Sequence, residues 1–270
     1  MLITVDPLVH AMLESSRPPV VLDVRWQLGD TDGHKKYRDG HLPGAVYVDL
    51  DGELAGPPSI AAGRHPLPDL TELQAAARRW GIDDDVPVVV YDDCGGMSAA
   101  RAWWLLRWGG LTDVRILDGG LEVWRQAGLR LSRGSTEPRG GNVVLSGGGM
   151  PTATIDDVAD TTALLLDARA GERYRGETEP IDPRAGHIPG AVSAPTGENL
   201  TVTGSFQPAD VLRERFTGLG ADRDVIVYCG SGVTAAHEIA ALQIAGFDGA
   251  ALYPGSYSQW SNTARPVELG

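Results

Sequence analysis

The chain has 270 residues, 42% of them apolar and 22% charged, a composition that folds rather than staying disordered. Acidic residues outnumber basic ones 36 to 23, for a formal charge of -13, which disfavours nonspecific binding to nucleic acid or to an anionic membrane. No apolar run approaches the roughly 20 residues of a membrane span. The opening MLITVDPLVH lacks the basic-then-apolar pattern of an export signal, and two cysteines cannot staple a chain this long, so a cytoplasmic protein with free thiols is expected.

In chain order, the apolar run Val20–Val24 predicts a buried parallel strand, Val86–Tyr91 a second, and Met97–Trp108 a helix with an Ala, Trp and Leu face. Val114–Leu117 predicts a strand and Leu121–Ala127 a short helix. Residues 132–150, with GSTEPRGG and SGGGMP, predict a linker of which little can sit in a core. The series then repeats, with strands at Leu164–Asp167, Asp224–Tyr228 and Ala250–Tyr253 and a helix at Ala235–Ala245.

Four echoes show that this is duplication. VVLDVRW matches LLLDARA, GHLPGAV matches GHIPGAV, VPVVVYDDCGGMSAA matches DVIVYCGSGVTAA, and LDGGLEVW matches YPGSYSQW, all in the same order and about 140 residues apart. The reading is an α/β protein of two copies, 1–131 and 151–270, each a mainly parallel sheet flanked by helices.

The segment VIVYCGSGVTAAHEIAALQIAG carries the chemistry. Cys229 directly follows a buried strand, at the sheet edge where such folds put ligands. Gly230 and Gly232 allow a tight turn with inward N–H groups, and a helix start follows. Both favour thiolate over thiol, hence a nucleophile; the alternative is a buried cysteine at a strand end. An N–H cradle also suits phosphate, but residues 229–236 include no arginine to clamp it, and position 235 is Ala. No GxGxxG follows the first strand, GxSxG is absent, and nothing has metal-ligand spacing, so no cofactor or metal is expected.

GHLPGAV and GHIPGAV, DARAGERYRG, and CGSGVTA together resemble the tandem rhodanese-domain sulfurtransferases from Val20 to Trp260, with CGSGVTA most similar to the loop of the 3-mercaptopyruvate enzymes. The resemblance implies two rhodanese-like domains, a silent first copy and a persulfide-forming Cys229. The sulfur would sit in a loop of Gly230, Ser231, Gly232, Val233 and Thr234. The donor would be 3-mercaptopyruvate or thiosulfate, and the acceptor cyanide, a thiol or a thioredoxin-like protein. It implies that Arg173 binds the donor anion and that Arg184, after TEPIDP, is a second anion-binding residue. It further implies that Ser231 is relayed by His41 with Asp32 (or Asp30) behind it, which would put the site between the copies. His187 reads as a turn residue, and His65 in the Pro-rich GRHPLPD either lines the cleft or, the preferred reading, belongs to a surface loop. In the first copy, Asp92 or Asp93 stands at the Cys229 position, depending on which side is aligned, and Cys94 is a bystander whose thiol two carboxylates should disfavour ionising. A noncatalytic carrier or scaffold is the other class of reading, favoured only by the acidic surface.

Overall fold

A computed structural model describes residues 1–270, which divide into two compact units. Unit 1 comprises residues 1–54, 68–149 and 202–206; unit 2 comprises 55–67, 150–201 and 207–270. Each copy thus surrenders a short segment to the other's unit, an exchange that the repeat does not announce.

Unit 1 is built on a parallel sheet of β1 (Leu2–Ile3), β2 (Val20–Asp23), β3 (Val46–Tyr47), β4 (Val88–Tyr91) and β5 (Val114–Leu117), in the order β1-β5-β4-β2-β3. Unit 2 uses β6 (Leu164–Asp167), β7 (Val192–Ser193), β8 (Val225–Tyr228) and β9 (Ala251–Leu252), in the order β7-β6-β8-β9. Read from the same edge, β9-β8-β6-β7 reproduces β5-β4-β2-β3. The single parallel bridge Thr152↔Leu252 marks the place that β1 takes beside β5. The central strands are apolar on both faces because helices cover both, which is why they read as unbroken Val, Leu and Ile runs. Register matches as well: Asp23 pairs with Tyr91 across β2 and β4, and Asp167 with Tyr228 across β6 and β8.

The predicted helices form at Ala99–Trp108, Gly120–Gln126 and Thr234–Ile244. Further helices at Val5–Glu14, Leu70–Arg79 and Ala209–Gly218 were not expected from the sequence. Leu70–Arg79 starts at Asp69, whose carboxylate accepts from the Thr71 and Glu72 N–H groups.

Residues 132–149 are not a free linker. They pack in unit 1, where Ser132 bridges His41, Val143 and Leu145 are buried, and the Arg78 guanidinium donates to the Val143 carbonyl at 2.9 Å. Alternate apolar residues in a Gly-rich stretch are enough to hold it down.

Candidate active site

β8 delivers Cys229 to the C-terminal edge of the sheet of unit 2, and the helix Thr234–Ile244 begins five residues on. The thiol is buried, with Cys229 2% exposed. Gly232, in the left-handed region at φ +83, donates its N–H to Sγ at 3.1 Å. A Cβ at Gly232 would come 2.7 Å from the Pro254 carbonyl oxygen, so the turn needs glycine twice over, for its φ and for this close approach.

The turn 254–258 holds the loop from outside. Tyr257 N–H donates to the Cys229 carbonyl at 3.0 Å, Ser258 N–H to the Gly230 carbonyl at 2.9 Å, and Cys229 N–H to Ser256 Oγ at 3.2 Å. Ser256 is a buried non-glycine residue at φ 52, where unit 1 has Gly120 at φ 59. Strain at this position accompanies a hydroxyl that fixes the backbone of the cysteine.

The segment 55–67 is held by the same turn. Gly63 lies so close that a Cβ there would meet the Gly255 carbonyl oxygen at 2.6 Å, and Arg64 N–H donates to Ser258 Oγ at 3.0 Å. Two side chains are placed by this anchoring. His65 Nδ1 is 2.7 Å from Ser231 Oγ, with both residues buried. The Arg64 guanidinium lies over Gly230. We expect G63A to lower Tm and to reduce turnover, because it combines a disfavoured φ with a backbone clash, each worth about 1–3 kcal/mol. G29A is the control for the φ cost alone, since Gly29 has φ +82 and nothing within 4 Å of its would-be Cβ. Equal behaviour of the two variants would mean that the Gly63 approach does not position the site.

These contacts correct the expected relay. Ser231 is hydrogen-bonded to His65, not to His41. His41 Nδ1 bonds the Tyr37 carbonyl at 2.9 Å, its Nε2 is 3.5 Å from Thr136 Oγ1, and its ring stacks on Tyr37. His187 does the same in unit 2, with Nδ1 2.9 Å from the Tyr174 carbonyl and its ring stacked on Tyr174. Both histidines therefore tie down their GH(L/I)PG turns. Asp32 is exposed at the start of the helix Gly33–Asp39, and Asp30 pairs with Lys36. Neither carboxylate stands behind an imidazole at the cysteine.

Arg184 is also reassigned. Its Nε, Nη1 and Nη2 donate to the carbonyls of Ser261, Arg265 and Trp260 at 2.8, 2.8 and 3.1 Å. The guanidinium fork closes off the end of the helix Ser256–Trp260, where carbonyls lack helical partners. Arg173 reaches the cysteine loop. A Cβ on Gly230 would be 3.3 Å from its Nη1, and its Nη2 bonds Glu179 at 2.7 Å and Asp182 at 3.2 Å. Arg169 is structural, bonding Asp167 and the Gly186 carbonyl as Arg25 bonds Asp23 and the Gly40 carbonyl in unit 1. Arg175 pairs with Glu177 in solvent. Val233 precedes and Thr234 begins the helix that follows the loop.

Unit 1 shows what this loop architecture accepts. The Asp92 carbonyl receives the Leu121 N–H at 2.8 Å, as the Cys229 carbonyl receives that of Tyr257. Asp92, not Asp93, therefore occupies the Cys229 position. Its Oδ1 accepts from the N–H groups of Cys94 and Gly96 at 2.9 and 2.8 Å, and its Oδ2 from those of Ser98 and Ala99 at 2.8 and 2.9 Å. A carboxylate fills an anion cradle of backbone N–H groups. Burial first, and the Asp92 charge second, push the Cys94 thiol well up, so it stays neutral.

The family described as Rhodanese-like domain matches residues 7–127 and again 151–263. Two bacterial relatives bear provisional names. One from Mycobacterium tuberculosis, named as a thiosulfate sulfurtransferase, is 48% identical and covers 96% of this chain and 94% of its own. One from Pseudomonas aeruginosa, named as a 3-mercaptopyruvate sulfurtransferase, is 46% identical over 93% and 92%. The 3-mercaptopyruvate sulfurtransferase of Escherichia coli is 36% identical over 88% and 87%. Among solved structures, the 3-mercaptopyruvate sulfurtransferase from Leishmania major superposes with a TM-score of 0.85 at 29% identity, covering 98% of this chain and 75% of that one.

Proposed function

Since the chain belongs to the rhodanese-like family of sulfurtransferases, with two copies of its domain in tandem, we propose that it moves sulfur from 3-mercaptopyruvate to a thiol or cyanide acceptor through a persulfide on Cys229. The observation that carries this reading is the Ser231–His65 hydrogen bond on the loop that holds the Cys229 sulfur. Mercaptopyruvate needs what thiosulfate does not, a proton for its leaving group.

In the first half-reaction the Cys229 thiolate attacks the donor sulfur. An S–S bond forms and the C–S bond breaks, its electron pair passing to carbon as the enolate of pyruvate. Ser231, backed by His65, supplies the proton that makes pyruvate. The Gly232 N–H and the helix start stabilise negative sulfur before and after attack. In the second half-reaction an acceptor nucleophile, cyanide or the thiolate of a small molecule or thioredoxin-like protein, takes the outer sulfur and returns Cys229 as thiolate. No helix is long and apolar enough to cross a membrane, and the two free cysteines support a reducing, cytoplasmic setting.

Arg173 binds the donor carboxylate in this scheme. Losing a charge-assisted contact costs about 1.5–3 kcal/mol, so R173A should lower kcat/KM roughly 10- to 150-fold. S231A and H65A should depress turnover of mercaptopyruvate more than of thiosulfate, and an equal loss with both donors would remove the proton-transfer role. Thiosulfate as the main donor is the second reading. It is favoured by two guanidiniums beside Gly230, anion-binding forks that the neutral loop sequence does not suggest. Side-by-side kcat/KM values for the two donors decide it: mercaptopyruvate ahead supports the proposal, thiosulfate ahead refutes it.

A further inference from the structure

Two non-glycine residues of the chain have a positive φ, Asp85 at 60 and Ser256 at 52. Asp85 is exposed in a turn, and aspartate is among the residues that tolerate the left-handed region. Ser256 is fully buried, and serine has no such tolerance. The silent copy shows what the position asks for. Gly120 stands there at φ 59, and Leu121 after it donates its N–H to the Asp92 carbonyl as Tyr257 donates to that of Cys229. A Cβ on Gly120 would run into the Asp92 carbonyl oxygen, so the turn crowds a side chain as well as straining it. The copy with the nucleophile nonetheless carries serine. Its hydroxyl is used in both directions: it donates to the Tyr253 carbonyl at 2.9 Å and accepts the Cys229 N–H at 3.2 Å. With its one proton committed to Tyr253, the hydroxyl faces Cys229 as an acceptor, which glycine cannot offer.

We propose that Ser256 is a positioning residue for the nucleophile: its hydroxyl anchors the Cys229 N–H so that Sγ stays against the Gly232 N–H, and the strained backbone is retained for that contact. The inference rests on the reading of Cys229 as the sulfur-carrying residue. β8 ends at Tyr228, so the Cys229 N–H lies one residue beyond the strand and is held by Ser256 instead. A buried N–H without a partner is costly, and the backbone would turn to find one. Sγ is one rotatable bond from that backbone, so such a turn moves the sulfur off the 3.1 Å contact with Gly232. Backbone strain of this kind persists only where its surroundings enforce it, and it clusters at functional sites. Here it stands in the copy that has the cysteine and is absent from the copy that has Asp92.

The test uses full-length S256G and S256A. Both lose the hydroxyl, and only S256A keeps a Cβ at positive φ. The readouts are the rate of Cys229 alkylation by iodoacetamide, followed by peptide mass so that Cys94 is scored separately, then Tm, then kcat and KM for mercaptopyruvate. Both variants should alkylate Cys229 more slowly and by the same factor, roughly 2- to 10-fold, the loss of one neutral hydrogen bond. Their kcat should fall while KM stays at the wild-type value, because Ser256 is fully buried. Their Tm values should differ, S256A lying below S256G, because the strain remains in S256A alone. A merely structural role would instead make the less stable variant the slower one. Wild-type alkylation rates in both variants, rates that follow Tm, a loss confined to KM, or a wild-type Cys229 that iodoacetamide leaves unmodified would each overturn the proposal. Should the wild type turn over neither donor, the proposed reaction fails, and the alkylation rates still decide the role of Ser256.

Discussion

Serine at position 229 should abolish sulfur transfer with either donor, a loss of at least about 10^3-fold in kcat, because no other group can carry the sulfur between half-reactions. The substitution changes one atom at a buried position whose backbone N–H and carbonyl are already bonded to Ser256 and Tyr257, so the fold should survive. C94S should keep wild-type kcat/KM. The Cys94 thiol is neutral, and Asp92, which fills the equivalent cradle, leaves no room there for a sulfur anion. Activity remaining in C229S, or its loss in C94S, would move the nucleophile to the wrong copy.

The isolated second copy, residues 151–270, should lose at least about 10^2-fold in kcat/KM, the usual contribution of a positioned general acid. It retains Cys229, Ser231 and Arg173 but lacks the segment 55–67, which packs in unit 2. Without that segment His65 is gone from Ser231, Arg64 from Gly230 and Asp182, and Ser258 Oγ loses the Arg64 N–H. Circular dichroism separates a folded, impaired fragment from an unfolded one. A folded fragment with full activity would show that the first half of the sequence contributes nothing to the chemistry.

The sequence alone makes the fold legible because duplication doubles every signal. Apolar runs at 20–24 and 164–167 are ambiguous singly; together, with matching loops behind them, they require the same sheet twice. Cys229 was legible for a local reason, since a strand, a Gly-rich turn and a helix adjoin it in the chain. The partners of Ser231 were not legible, because His65 reaches it across 166 positions by way of the close approach of Gly63 to Gly255. The Pro-rich GPPSIAAGRHPLPD has no periodicity from which that approach could be read. A usable signal did exist in the repeat. His41 recurs as His187, in a copy with the nucleophile and in one without it, and a residue common to both does work common to both. His65 and Arg64 have no such echo. Arg184 was read from TEPIDPR, which has one residue more before the arginine than the family's segment, while its destination depends on a helix end some 76 positions away. The packing of the linker was not legible from composition, since Val143 and Leu145 are buried among many glycines while Val144 between them is exposed.

The most direct measurement is intact and peptide mass of the full-length protein after treatment with mercaptopyruvate and removal of excess donor, before any acceptor is added. The account predicts one added sulfur, on the peptide containing Cys229, released when cyanide is supplied. No added sulfur, or sulfur on the Cys94 peptide, would contradict it.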